Sequence, residues 1–139
     1  MSYEYIEHTA DVGFTVRANS LEELFQESAE ALINIMTPVS KIKCVEKRVI
    51  ELEAETLEDL LYDFLSEFLY LLDSEKMVFG KFRVRIQQED SLKLSAEVCG
   101  EKVDPERHVF ESYVKAITYH DLTVRKEPDG WFAKVVVDI

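Results

Sequence analysis

The chain has 139 residues, 47% of them hydrophobic and 32% charged, which fits one soluble globular domain with a real core rather than two. Its 28 acidic against 16 basic residues give a formal net charge of -12. That balance argues against broad, sequence-independent nucleic-acid binding, because phosphates must be met by Lys and Arg. A link to RNA is expected to run indirectly, through a basic partner protein toward which an acidic chain is steered electrostatically.

No apolar run is long enough to span a bilayer, and Met1-Ser2-Tyr3-Glu4-Tyr5 lacks the regions of a signal peptide. A cytoplasmic protein with no membrane contact is the expectation. Cys44 and Cys99 stand far apart and form no CxxC pair. Two reduced thiols are therefore expected, and a disulfide or zinc site is not.

Tyr3 to Glu7 reads as a first strand, and His8-Thr9-Ala10-Asp11 as a polar break. Gly13 to Ala18 is a second strand, in which Phe14, Val16 and Ala18 alternate with polar residues. A helix over 21–36 follows, carried by Leu21, Leu24, Phe25, Ala29, Leu32 and Met36. It ends near Thr37-Pro38, because proline disfavours helix in the residue before it. Residues 39–45 form a connection with some strand character.

Lys47 to Glu55 alternates as a strand with one wet face. Thr56 then caps the helix around which the chain is organised, with Asp59 where a capping box places its acid. Leu57, Leu60, Leu61, Phe64, Leu65, Phe68, Leu71 and Leu72 recur at helical spacing over 57–73. A face that broad belongs in a core rather than on a partner-binding surface helix. Ser20-Leu21-Glu22-Glu23-Leu24 echoes Thr56-Leu57-Glu58-Asp59-Leu60 in cap, apolar and acid positions, which suggests an internal duplication.

Strands are expected over 81–87 and 92–98, on either side of the turn Gln87 to Ser91. Gly100 to His108 reads as a charged loop. Val114 to Arg125 is rich in β-branched residues, and its parity breaks at Tyr119-His120-Asp121 as at a bulge. Pro128-Asp129-Gly130 is a turn, and Trp131 to Asp138 a closing strand.

The order nests. Strand 47–55, helix 57–73 and strands 81–87 and 92–98 make one strand-helix-strand-strand unit. Strand 13–18, helix 21–36 and strands 116–126 and 131–138 make a second, with the first (about 47–98) inserted in it. The expected fold is α+β, one domain over 1–139 with two helices packed on largely antiparallel sheet.

For chemistry, the chain's last residues stand out. A buried-type run, Val135-Val136-Val137, ends in Asp138, and the main-chain carboxylate of Ile139 follows at once. Adjacent negative groups repel unless solvent or a cation screens them. An oxygen-only donor set suits Ca²⁺ or Mg²⁺, and Asp11 joins it if the terminal strands are neighbours. The alternative from chemistry alone is a frayed, solvated terminus. His8 and Thr9 stand beside Asp11, placed either to orient it or as an ordinary turn. His120-Asp121 resembles the His-Asp pair of metal-dependent phosphohydrolases, but those enzymes carry their ligands on helices and this pair lies among strand formers. Lys115 taken alone is an ordinary exposed lysine. There is no phosphate-binding Gly-rich loop, no GxSxG elbow and no cysteine-histidine signature.

Three segments together resemble the archease family: Glu7-His8-Thr9-Ala10-Asp11-Val12-Gly13, Glu111 to Leu122 with Val114-Lys115-Ala116-Ile117-Thr118-Tyr119-His120 at its centre, and Val136-Val137-Asp138-Ile139. The resemblance covers the whole chain in length and order. It implies the nested fold, and a small protein cofactor of the GTP-dependent tRNA-splicing RNA ligase. Such a cofactor promotes guanylylation of the ligase's active-site histidine, and so multiple turnover, with no intrinsic activity of its own. It also implies a divalent cation, Ca²⁺ in a crystal and Mg²⁺ or Mn²⁺ in function, on Asp11, Asp138 and the carboxylate of Ile139. The family's functional lysine falls on Lys115, so Asp11, Lys115 and Asp138 carry ligase activation. Two rivals remain: a stand-alone metal-dependent hydrolase using Asp11, Asp138 and His120, and a chaperone-like binder of RNA-modifying enzymes.

Overall fold

Two hydroxyls open the two helices. The Ser20 side chain accepts the Glu23 N–H at 3.1 Å at the start of α1 (Leu21–Met36). Thr56 accepts the Asp59 N–H, also at 3.1 Å, at the start of α2 (Leu57–Glu75). Each bond satisfies a donor of the first turn that has no partner within the helix. Helix α2 stops at Lys76, whose φ of 56° turns the backbone left-handed, and α1 stops at Thr37, ahead of Pro38.

The structure, a computed structural model, describes residues 2–7 and 11–139, with only the backbone described for Glu7 and Asp11. The strands are β1 (Ser2–Glu7), β2 (Asp11–Ala18), β3 (Glu46–Ala54), β4 (Met77–Gln88), β5 (Leu92–Lys102), β6 (Ala116–Ile117), β7 (Thr123–Glu127) and β8 (Gly130–Asp138). They form two antiparallel sheets. The larger runs β1-β2-β8-β6, with β7 also paired to β8, and the smaller runs β3-β5-β4.

The nesting is visible in the pairing. In β3-α2-β4-β5 the first strand pairs with the last, and the last with the third. In β2-α1-β7-β8 the same holds: β2 pairs with β8 and β8 with β7. Helix α1 packs on β2 and β8 of one sheet and on β4 of the other, while α2 packs on β3, β4 and β5 and on β6 and β7. Both helices are thus shared between the sheets, and their apolar faces join one continuous core. Among the described residues no helix is long and apolar enough to cross a membrane.

The structure departs from the alternation-based strand boundaries where alternation fails. Met77, Val78 and Phe79 are all buried, and the β4–β5 register shifts between Phe79 and Lys81, so β4 begins four residues before the expected 81. Opposite the shift, a Cβ on Gly100 would overlap the Val78 carbonyl, which explains a glycine inside β5. Residues 39–45 contain a 3₁₀ turn (Val39–Lys41) instead of a strand.

The expected free thiols are corrected: Cys44 and Cys99 form a disulfide, with Cα atoms 5.0 Å apart. The Val45 N–H donates to the Gly100 carbonyl at 3.0 Å, so the chain before β3 runs back beside the end of β5. A separation of 55 residues gives no hint of that proximity. Closing so long a loop restricts the unfolded chain. Cys44→Ser, at an exposed position, is therefore expected to lower stability by about 2–4 kcal/mol. Denaturant melts with and without reductant check this. Reductant should bring the wild type down to the variant and leave the variant unmoved.

Candidate functional site: a corner between β2, β6 and β8

Strand β2 begins at Asp11 and β8 ends at Asp138, and the two residues stand opposite each other in register. On the other side of β8, Ala116 stands opposite Asp138, and the Lys115 N–H donates to the Asp138 carbonyl at 2.7 Å. Thr118 extends this edge, its N–H and its hydroxyl both donating to the Val136 carbonyl, at 3.1 and 2.8 Å. Val135, Val136 and Val137 are buried, whereas Asp138 is exposed and Ile139 is 40% exposed. The core holds the strand, and its acidic end stands in solvent.

Three segments remote in sequence thus meet at one corner: Asp11, Lys115, and Asp138 with Ile139. His8 and Thr9 lie outside the described residues, as does the side chain of Asp11. Among the described residues no three His, Cys, Asp or Glu side chains cluster as a metal site. The corner still fits a hard cation in donor type. Asp138 is exposed, Asp11 stands opposite it in backbone register, and carboxylate oxygens are the donors that such a cation takes.

His120 and Asp121 do not join the corner. Their side chains pair with each other at 3.4 Å on the surface, and Asp121 also meets Lys134 at 3.6 Å. Lys134 lies four residues back along β8 from Asp138, roughly 13 Å of strand. The expected bulge is a turn between β6 and β7, with Asp121 in the left-handed region at φ 53°. The turn leans on α2: Tyr119 stacks on Tyr62 at 4.1 Å and donates its hydroxyl to Asp59 Oδ1 at 3.0 Å.

What sequence reasoning missed is the scaffold that delivers Lys115. Residues 100–108 read as a charged loop, yet Glu101 is 6% exposed and His108 2%. The Glu101 carboxylate accepts from Arg107 Nη1 and Nη2 (2.5 and 2.7 Å), from the Lys43 N–H (2.6 Å) and from His108 Nε2 (3.0 Å). His108 Nδ1 accepts the Asp104 N–H at 2.8 Å, which leaves the ring proton on Nε2 to donate. The Arg107 guanidinium above all, helped by the Lys43 and His108 donors, overcomes burial and holds the Glu101 carboxyl at about 2. Beyond it, the Glu111 N–H and the Ser112 hydroxyl donate to the carbonyls of Met36 and Ile35, both at 2.9 Å, and Val114 is buried. The only signal for this in the sequence is the density of charge in 101–108, which reads equally well as a solvated loop.

Comparison with known proteins matches residues 3–139 to the model of the Archease protein family. The archease of Pyrococcus abyssi is 48% identical over 139 residues, covering 99% of this chain and 98% of its own. The solution structure of protein 1598 of Methanobacterium thermoautotrophicum superposes with a TM-score of 0.87 at 34% identity, covering 99% of this chain and 98% of that one. A crystal structure from Thermotoga maritima, described as "an archease, possible chaperone", gives a TM-score of 0.60 at 28% identity, over 96% of this chain and 94% of that one.

Proposed function

This chain belongs to the archease family, and we propose from that premise that it is a cytoplasmic protein cofactor of the GTP-dependent RNA ligase that joins tRNA exon halves. In this reading it promotes guanylylation of the ligase's active-site histidine and so multiple turnover, and it meets RNA only through the ligase. The observation that carries the reading is the corner itself, where the segments around Asp11, Lys115 and Asp138 come together in register.

The chain's own residues do three things. Asp11, Asp138 and the carboxylate of Ile139 supply oxygens for a divalent cation. Such a cation, when bound, would neutralise charge near a phosphate, which together with positioning is what in-line phosphoryl transfer depends on. Lys115, exposed at the corner and tethered through its backbone to Asp138, offers a point charge to a phosphate or to a carboxylate of the ligase. The net charge of -12 favours approach to a basic RNA channel.

A single-turnover against multiple-turnover ligation assay with the matching ligase tests this. Lys115→Ala should cut stimulation by roughly 10- to 100-fold, the scale of losing one hydrogen bond to a charged group, while the melt and cation binding stay at wild type. Wild-type stimulation by the variant would remove Lys115 from the site. Turnover of nucleotides by the pure protein and metal, without ligase, would favour the hydrolase reading instead.

A further inference from the structure

Beside Lys115 the surface changes from acidic to apolar. The last turns of α2 (Leu69, Leu72) face Val103, Phe110 and Tyr113 across an open groove of about 840 Å³. Tyr70 and Tyr113 stand 61% and 63% exposed at its sides. The Tyr113 ring is not loose, because it stacks on Phe110 at 5.0 Å with the planes 7° apart. The walls are fixed to each other: the Val103 N–H donates to the Lys76 carbonyl at 2.8 Å, and Lys102 Nζ to the Glu75 carbonyl at 2.8 Å. The groove is therefore preformed, and its exposed tyrosines are of the type that dominates interface energetics.

Charge narrows the occupant. In a chain of net charge -12, two lysines, Lys76 and Lys115, line the groove against one carboxylate, Asp73. That rim suits an acidic neighbour. A second copy of this chain would bring another -12 against it, and a nucleic-acid strand would need more cations than two. Position narrows it further. Lys115 belongs both to the groove and to the corner with Asp138, so a body seated on the corner overlies the groove.

We propose that this groove is the grip by which the chain holds its ligase partner, taking a short segment of that protein with a large apolar side chain and a carboxylate beside it. The inference rests on the function proposed above. It divides the work: the corner acts on the reaction, and the groove sets how tightly the two proteins associate.

The test is Tyr70→Ser with Tyr113→Ser in one chain. Both positions are exposed, and a thermal melt verifies the fold. Calorimetry with the ligase should show binding weakened about tenfold or more, the usual loss on truncating interface aromatics. The half-saturating concentration for stimulation should rise in parallel, and cation binding should match the wild type. Asp138→Ala should show the reverse, binding the ligase within about threefold of wild type but failing to stimulate it, since contacts outside an interface's anchor residues are near-neutral. A wild-type chain that does not bind the ligase overturns the functional reading and the groove with it. A wild type that binds, beside a double variant that binds equally well, overturns the groove alone. The groove is likewise overturned if the wild type sediments as a dimer that the double variant abolishes, or if it binds single-stranded RNA and the double variant does not.

Discussion

Asp138→Ala is expected to abolish ligase stimulation and to weaken divalent-cation binding by more than about a hundredfold, since even outer partners of a metal ligand cost about 10–100-fold. Adding a few residues after Ile139 should do the same by another route, replacing a carboxylate with a neutral amide and crowding the corner. Neither change touches the core: Asp138 is exposed and Val137 is the last buried residue of β8. In the absence of metal, Asp138→Ala should even be slightly more stable, because it removes a negative charge directly opposite Asp11. This supplies a readout independent of the ligase. A cation that binds only the native state raises the melting temperature of the wild type with concentration, and the variant should not respond. Glu89→Gln, in the exposed β4–β5 turn, is the control that should behave as wild type throughout. If the extended chain binds cation and stimulates the ligase normally, the carboxylate of Ile139 is not a ligand, and the corner works through Asp11 and Asp138 alone.

The helices were legible because their signals are local. A hydroxyl at Ser20 or Thr56, an acid three residues on, and apolar residues at helical spacing lie within one window of sequence, and the structure contains both caps. The strands were legible wherever one face is wet, as in β3, and became illegible where both faces are covered. Met77, Val78 and Phe79 carry no alternation, so the start of β4 could not be read. The disulfide and the Glu101–Arg107–His108 cluster depend on residues 42–45 returning beside β5, a tertiary fact with no periodicity. The corner lies between these cases. Residue chemistry alone leaves Asp138 open between a cation ligand and a solvated terminus, and Lys115 an ordinary surface lysine. Donor chemistry joins Asp11 to Asp138 if the terminal strands are neighbours, and the family resemblance adds Lys115; the β2–β8 and β6–β8 pairings bring the three backbone positions together.

Phe64→Ala is expected to cost about 3–5 kcal/mol, the range for truncating a buried phenylalanine. Phe64 is fully buried in the middle of α2. Its ring meets Phe25 of α1 at 5.9 Å and Phe68 at 5.0 Å, edge to face, and Phe68 in turn meets Phe79 and Phe82 of β4. The chain of rings runs from one helix through the other into the smaller sheet, so a void at Phe64 removes contacts on both sides. Neighbours in a close-packed aromatic cluster close such a void only partly. Helix α2 also carries Glu58, which accepts the Val124 N–H at 3.2 Å, and Asp59, which accepts the Tyr119 hydroxyl. Both hold the segment that follows β6. The loss should therefore reach the corner, and ligase stimulation should fall at temperatures where the variant is still folded by far-UV circular dichroism. Denaturant melts give the first measurement: the midpoint should drop with the slope unchanged. A loss below about 0.5 kcal/mol, the size of an ordinary surface change, would mean that α2 does not bury this face in solution, and the shared-helix architecture would be wrong.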